Sequence, residues 1–139
     1  MNSFRNAGNK HKMSDFVLDA SALLALLNQE VGSEVVGAVI SQTVISTVNL
    51  SEVIAKLADK GLPRDVITSA LEGLGLEVVE FDQEQALTAG LLRSKTKVAG
   101  LSLGDRACLA LAFQLGLPAL TTDRIWDTLN LDIEVRVIR

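Results

Sequence analysis

Short apolar runs alternate with helically spaced apolar positions along this chain. Phe16-Val17-Leu18 is an apolar run closed by Asp19, the pattern of a buried strand, and Ala20 to Asn28 is Ala/Leu-rich and predicts a helix. Ser33 to Ile40 predicts a second helix with Ser33 as its N-cap, and the β-branched Val44-Ile45 a second strand. Leu50, Val53, Ile54, Leu57 and Ala58 stand at i, i+3, i+4, i+7 and i+8, so Leu50 to Lys60 reads as an amphipathic helix. Gly61-Leu62-Pro63 stops it and starts another helix that runs to about Leu74, with Gly73 and Gly75 marking its end. Glu77 to Phe81 predicts a strand, and Asp82 opens a helix with Gln85 at capping-box spacing. Leu103 to Leu115 is so apolar between Ala107 and Phe113 that the helix is expected to be buried on most sides, closed by Gly116 and Pro118. Ala119-Leu120 leads into Thr121-Thr122-Asp123 as a strand end, with a short helix around Trp126. Ile133 to Ile138 alternates apolar with charged residues, as an edge strand does. Strands alternating with helices indicate an α/β layer fold around a mostly parallel sheet. Met1 to Ser14 is polar and aperiodic and reads as a flexible leader, leaving residues 15–139 as one domain.

Composition narrows the chemistry. Cys108 is the only cysteine and His11 the only histidine of 139 residues, which excludes a disulfide framework, a zinc cluster and a histidine-based nucleophilic triad. The longest apolar stretch, Phe16 to Leu27, is interrupted by Asp19 and Ser21, so it neither spans a bilayer nor resembles a signal peptide. A reducing, cytoplasmic setting without membrane contact is the expectation. Seventeen acids against thirteen bases give −4, and the balance falls to −7 once Arg5, Lys10 and Lys12 of the leader are set aside. That is not the balance of a high-affinity duplex-DNA binder. The apolar share is high at 48%, and the excess is aliphatic, with four Phe, one Trp and no Tyr. Such an excess suggests apolar surface covered by a partner chain, expected on the helices of the Ser33–Leu74 region.

Four acids stand out by position. Asp19 ends the first strand, Glu52 follows Asn49 by three, Asp105 follows Ser102 by three, and Asp123 follows Thr121-Thr122 at a strand-to-helix turn. Taken singly, each is explained by helix capping, which is worth about 0.3–1 kcal/mol through the exposed N–H groups and the helix dipole. Taken together they point elsewhere. In a parallel α/β sheet the helices after the strands begin at the carboxyl edge, where ligand crevices form. Like charges ~5 Å apart repel by roughly 3 kcal/mol at an effective dielectric of 20. A cluster of this kind retains protons or holds a cation, and an all-oxygen set suits Mg²⁺ or Mn²⁺. The chemistry natural to it is displacement at a phosphodiester.

The segments Val17-Leu18-Asp19-Ala20-Ser21, Asn49-Leu50-Ser51-Glu52-Val53, Leu101-Ser102-Leu103-Gly104-Asp105-Arg106-Ala107 and Leu120-Thr121-Thr122-Asp123-Arg124 resemble the acidic motifs of PIN domains. Their order and separations are most similar to VapC-type ribonuclease toxins of bacterial toxin–antitoxin pairs, over about Ser14 to Arg139. The resemblance implies a three-layer α/β/α sandwich, Mg²⁺- or Mn²⁺-dependent cleavage of RNA, a homodimer and a cognate antitoxin. It implies Asp19 and Asp105 as principal metal ligands, Asp123 as the fourth acid assisting the metal, and Glu52 as the group orienting or deprotonating the attacking water. Ser21 and Thr121 match hydroxyl positions that support the acids. The leader departs from the pattern, since members of the family usually begin just before the first strand.

Cations near the acids are candidate contacts to RNA phosphates: Arg106 and Arg124 flank two of them, and Arg93, Lys95 and Lys97 form a basic run. Local charge balance and a solvated face are the simpler reading, more so for Lys56, Lys60 and Arg64, and Asp127 reads as surface charge. Few aromatics leave no stacking platform for single strands, so Trp126 and Cys108 are expected in the core or an interface. A haloacid-dehalogenase-type phosphatase would need an acid where Ser21 stands, and a response-regulator receiver would need a late lysine. The substantive alternative is a catalytically silent interaction module whose acids only cap helices.

Overall fold

The computed structural model describes residues 14–139; the expected leader lies outside the described residues apart from Ser14. The chain runs β1 (Phe16–Leu18), α1 (Ala20–Leu27), α2 (Ser33–Val39), β2 (Thr43–Ser46), α3 (Thr47–Asp59), α4 (Arg64–Glu72), β3 (Glu77–Val79), α5 (Gln83–Leu91), α6 (Arg93–Thr96), α7 (Leu103–Leu115), β4 (Ala119–Thr121) and β5 (Val135–Val137), with 3₁₀ turns at Ile40–Gln42 and Arg124–Thr128. The five strands form one sheet in the order β3-β2-β1-β4-β5, parallel throughout. β1 is central, registering Val17 with Val44 on one side and with Ala119 on the other.

Alternation along the strands builds two cores. Leu18, Ile45 and Leu120 face the layer of Leu23, Val36, Leu50, Val53, Leu57, Ile67 and Leu71, contributed by α1 to α4. Val17, Val44 and Ala119 point the other way, onto Cys108, Leu109, Leu111 and Ala112 of α7 and onto Trp126. This is a three-layer α/β/α sandwich. Trp126 and Cys108 are core residues, as expected, and β5 lies at an edge.

Local readings of the sequence are corrected in four places. Gly32, at φ +100, and not Ser33 is the N-cap of α2; a side chain at Gly32 would also meet Ile138 Cδ1 at 3.1 Å. α3 starts at Thr47 with no loop after β2, because Ser46 Oγ accepts the Val48 N–H at 3.2 Å. Asn49 therefore lies inside the helix and caps nothing. The Glu77 strand ends at Val79, short of Phe81. The buried stretch of α7 ends at Ala112, with Phe113 56% exposed. No described helix is long and apolar enough to cross a membrane.

Candidate functional site

Asp19 sits where the central strand ends and α1 begins, and it is 4% exposed. It holds the N-cap position of α1, yet its side chain makes no cap hydrogen bond. The capping explanation therefore does not apply to it. Its backbone N–H donates to Leu120 O at 2.9 Å, locking the residue to β4. Two hydroxyls converge on one carboxylate oxygen: Ser21 Oγ donates to Oδ2 at 2.7 Å and Thr121 Oγ1 at 2.9 Å. Each hydroxyl in turn accepts a backbone N–H, Ser21 from Thr122 at 3.0 Å and Thr121 from Asp123 at 3.1 Å. A hydroxyl has one proton, so these acceptances leave both protons aimed at Asp19.

Burial pushes the Asp19 carboxyl up to about 6; the hydroxyl bonds pull against it, and the charge of Asp105 adds to it. Asp105 reaches this position through the N-terminus of α7. Ser102 Oγ accepts the Asp105 N–H at 3.2 Å, and Asp105 Oδ2 accepts the Ser102 N–H at 3.0 Å, a complete capping box. No strand precedes this helix, so the box, with the packing of α7 on the sheet, sets where the acid stands. The buried Cys108 thiol, one turn further along, is held well above its ordinary range by burial first and then by the charges of Asp19, Asp105 and Glu52. The charges of three of the four acids thus all reach the Cys108 sulfur.

Glu52 is exposed but held. Asn49 Nδ2 donates to Glu52 Oε1 at 3.0 Å and to Gly104 O at 2.9 Å, and Asn49 itself is fully buried with Oδ1 unpartnered. The Glu52 carboxylate lies over Gly104, where an added Cβ would fall 2.6 Å from Glu52 Cδ. Asn49 and Gly104 are contributors that the sequence did not reveal as such. The Asn-x-x-Glu spacing was visible but has the form of a cap, and the bond to Gly104 spans 55 residues.

Asp123 is the least integrated acid. It is exposed, and its Oδ1 accepts the Ile125 N–H at 3.1 Å, capping the 3₁₀ turn; Thr121 links it to Asp19 through the backbone. Among the described residues, no three acid, histidine or cysteine side chains form a ready grouping for a metal ion. The donor set is nevertheless that of a hard divalent cation: oxygen ligands around a buried carboxyl that gives up its proton reluctantly beside a second acid. The two arginines are engaged elsewhere. Arg106 donates to Ala89 O at 2.9 Å, tying α7 to α5, and Arg124 donates to Arg139 O at 3.2 Å. Asp127 is exposed, as expected of surface charge.

The family model of the PIN domain matches residues 16–130, a span that contains all four acids. The chain belongs to this family. No curated protein matches it. Solved structures similar to this PIN domain include the DNA-bound VapBC of Salmonella typhimurium, at 24% identity and TM-score 0.69 over 89% of this chain and 98% of the other. VapBC-1 of nontypeable Haemophilus influenzae follows at 19% identity and TM-score 0.66, over 87% and 96%. VapBC-5 of Mycobacterium tuberculosis, a member of the VapBC family of toxin–antitoxin systems, is 22% identical with TM-score 0.59, over 91% and 98%. At these identities the likeness is one of fold.

Proposed function

We propose that this PIN domain is a Mg²⁺- or Mn²⁺-dependent endoribonuclease, the VapC-type toxin of a cytoplasmic toxin–antitoxin pair. The observation that carries the reading is Asp19: a buried acid at the carboxyl end of the central strand, uncommitted to capping, with Asp105 close enough to raise its pKa. Asp19 and Asp105 would hold the metal, with Asp123 completing the set. A bound divalent ion supplies acidified water and offsets charge on the phosphodiester. Ser21 and Thr121 keep Asp19 Oδ2 oriented. Glu52, fixed on Gly104 by Asn49, accepts the proton of the attacking water.

The antitoxin and a second copy of the chain account for apolar surface left open. Val35, Leu62 and Val66 are exposed in the region expected to bury against a partner, and Leu91 and Phe113 share a second apolar cleft between α5 and α7. The VapBC neighbours support the pairing. A silent interaction module is the second reading, favoured by the capping roles of Asp105 and Asp123 and the lack of a ready metal grouping.

Incubation with single-stranded RNA and Mn²⁺ separates the two. Nuclease action predicts cleavage that EDTA abolishes and that Asp19→Asn or Asp105→Asn removes without unfolding. It also predicts stabilisation of about 2.7 kcal/mol at a metal concentration a hundredfold above Kd. No cleavage and no thermal shift at millimolar metal would establish the module instead.

A further inference from the structure

Away from the acids, the same edge of the molecule continues as a cleft. Ser21, whose hydroxyl reaches Asp19, also lines a cavity of about 470 Å³ with Leu24 and Asn28 on one wall and, on the other, Lys56 of α3 and Lys60, which caps that helix. Glu52, Lys56 and Lys60 stand at i, i+4 and i+8, so they form one stripe along α3, each about 6 Å from the next. The two lysines of the stripe line the cleft, and Glu52 stands one turn before the first of them.

The lysines are not consumed by local acids. Glu30 and Asp59 also line the cleft, but neither Lys56 nor Lys60 has a salt bridge within the described residues, and Glu30 faces Arg139 at 3.6 Å. Lys60 Nζ donates to Asn28 Oδ1 at 2.7 Å, which fixes its ammonium with two donors left over, and Lys56 has no partner among the described residues. A chain of net charge −4 with an acidic site repels a polyanion, so cations close to that site are needed to hold one. Arg106 and Arg124, which the sequence offered for this task, each give one N–H to a backbone carbonyl, Ala89 O and Arg139 O, which ties their guanidinium groups down away from this cleft's lining.

We propose that this cleft is a phosphate track: Lys56 and Lys60 each hold a backbone phosphate of the RNA strand to one side of the bond to be cut. The inference rests on the nuclease reading for its substrate, but its first test is binding without cleavage. Fluorescence anisotropy of a labelled single-stranded RNA 12-mer in EDTA, over a range of NaCl concentrations, compares the wild type with Lys56→Ala, Lys60→Ala and the double variant. Each loss is expected to weaken binding about tenfold at low salt, as for one charge-assisted phosphate contact. Each also makes the slope of log K against log salt shallower by about 0.7. Lys56→Arg retains both values, and thermal midpoints and the Mn²⁺ shift are unchanged. Affinity and slope equal to wild type in the double variant overturn the track. Cleavage by that variant with an unchanged KM overturns it as well, while leaving the nuclease intact; absence of cleavage by the wild type overturns the nuclease reading and not the binding result.

Discussion

A carboxyl buried at Asp19 and pushed to about 6 makes the metal-free protein sensitive to pH in a definite direction. Below about pH 4 both folded and unfolded chains carry this proton. Between about 4 and 6 the unfolded chain has lost it while the folded chain keeps it, so stability falls as pH rises through that window. Above it the deficit is constant at about 3 kcal/mol. Thermal midpoints of metal-free wild type and Asp19→Asn should therefore diverge in favour of the variant between pH 4 and 6. Parallel profiles would show that burial does not strain this acid. Asn49 permits a second experiment. Its truncation to Ala removes the donor that holds Glu52 together with the one that holds Gly104 O, and Gly104→Ala pushes the carboxylate from its seat. On the nuclease reading each lowers kcat by at least tenfold while KM and the Mn²⁺ shift hold; unchanged kcat in both variants would release Glu52 from any positioned role. Asp19, Asp105 and Asp123 stood out in the sequence because each follows a strand or opens a helix, whereas Glu52 lies inside α3 and was marked only by its spacing from Asn49. The Asn49 clamp and the engagement of Arg106 by Ala89 O were not legible, since both depend on contacts distant in sequence that no spacing encodes.

Among the elements, α7 was read with its true ends, because Ser102 caps it and Gly116, at φ +67, stops it. That cap also sets the height of Asp105 at the site. Ser102→Ala should cost about 1 kcal/mol in chemical denaturation and, on the nuclease reading, reduce cleavage beyond the loss of folded protein, as the Asp105 backbone N–H loses its acceptor and only the Ser102 N–H still holds the carboxylate. Full activity at a lowered denaturation midpoint would restrict the box to stability. The start of α3 was misplaced for a compositional reason. Thr47 and Val48 continue the β-branched run of β2, so nothing in the hydropathy announces the helix that Ser46 opens. Phe113 shows the opposite failure: the apolar run that ends with it suggests burial, whereas here its side chain faces outward.

For the whole molecule, alternation of strands and helices sufficed to give the layers, and the turn residues gave the boundaries, but strand order was not legible. Putting the first strand at the centre of the sheet requires β4, about a hundred residues later, to lie at its side. This order has a temporal consequence. A chain still emerging from the ribosome and not yet past Thr121 has Asp19 with one hydroxyl missing, no β4 backbone to pin it and no Asp123. The carboxyl end of β1 is thus made first and completed last. On the nuclease reading, a fragment released early by a premature stop carries most of the domain's mass without a completed acid site.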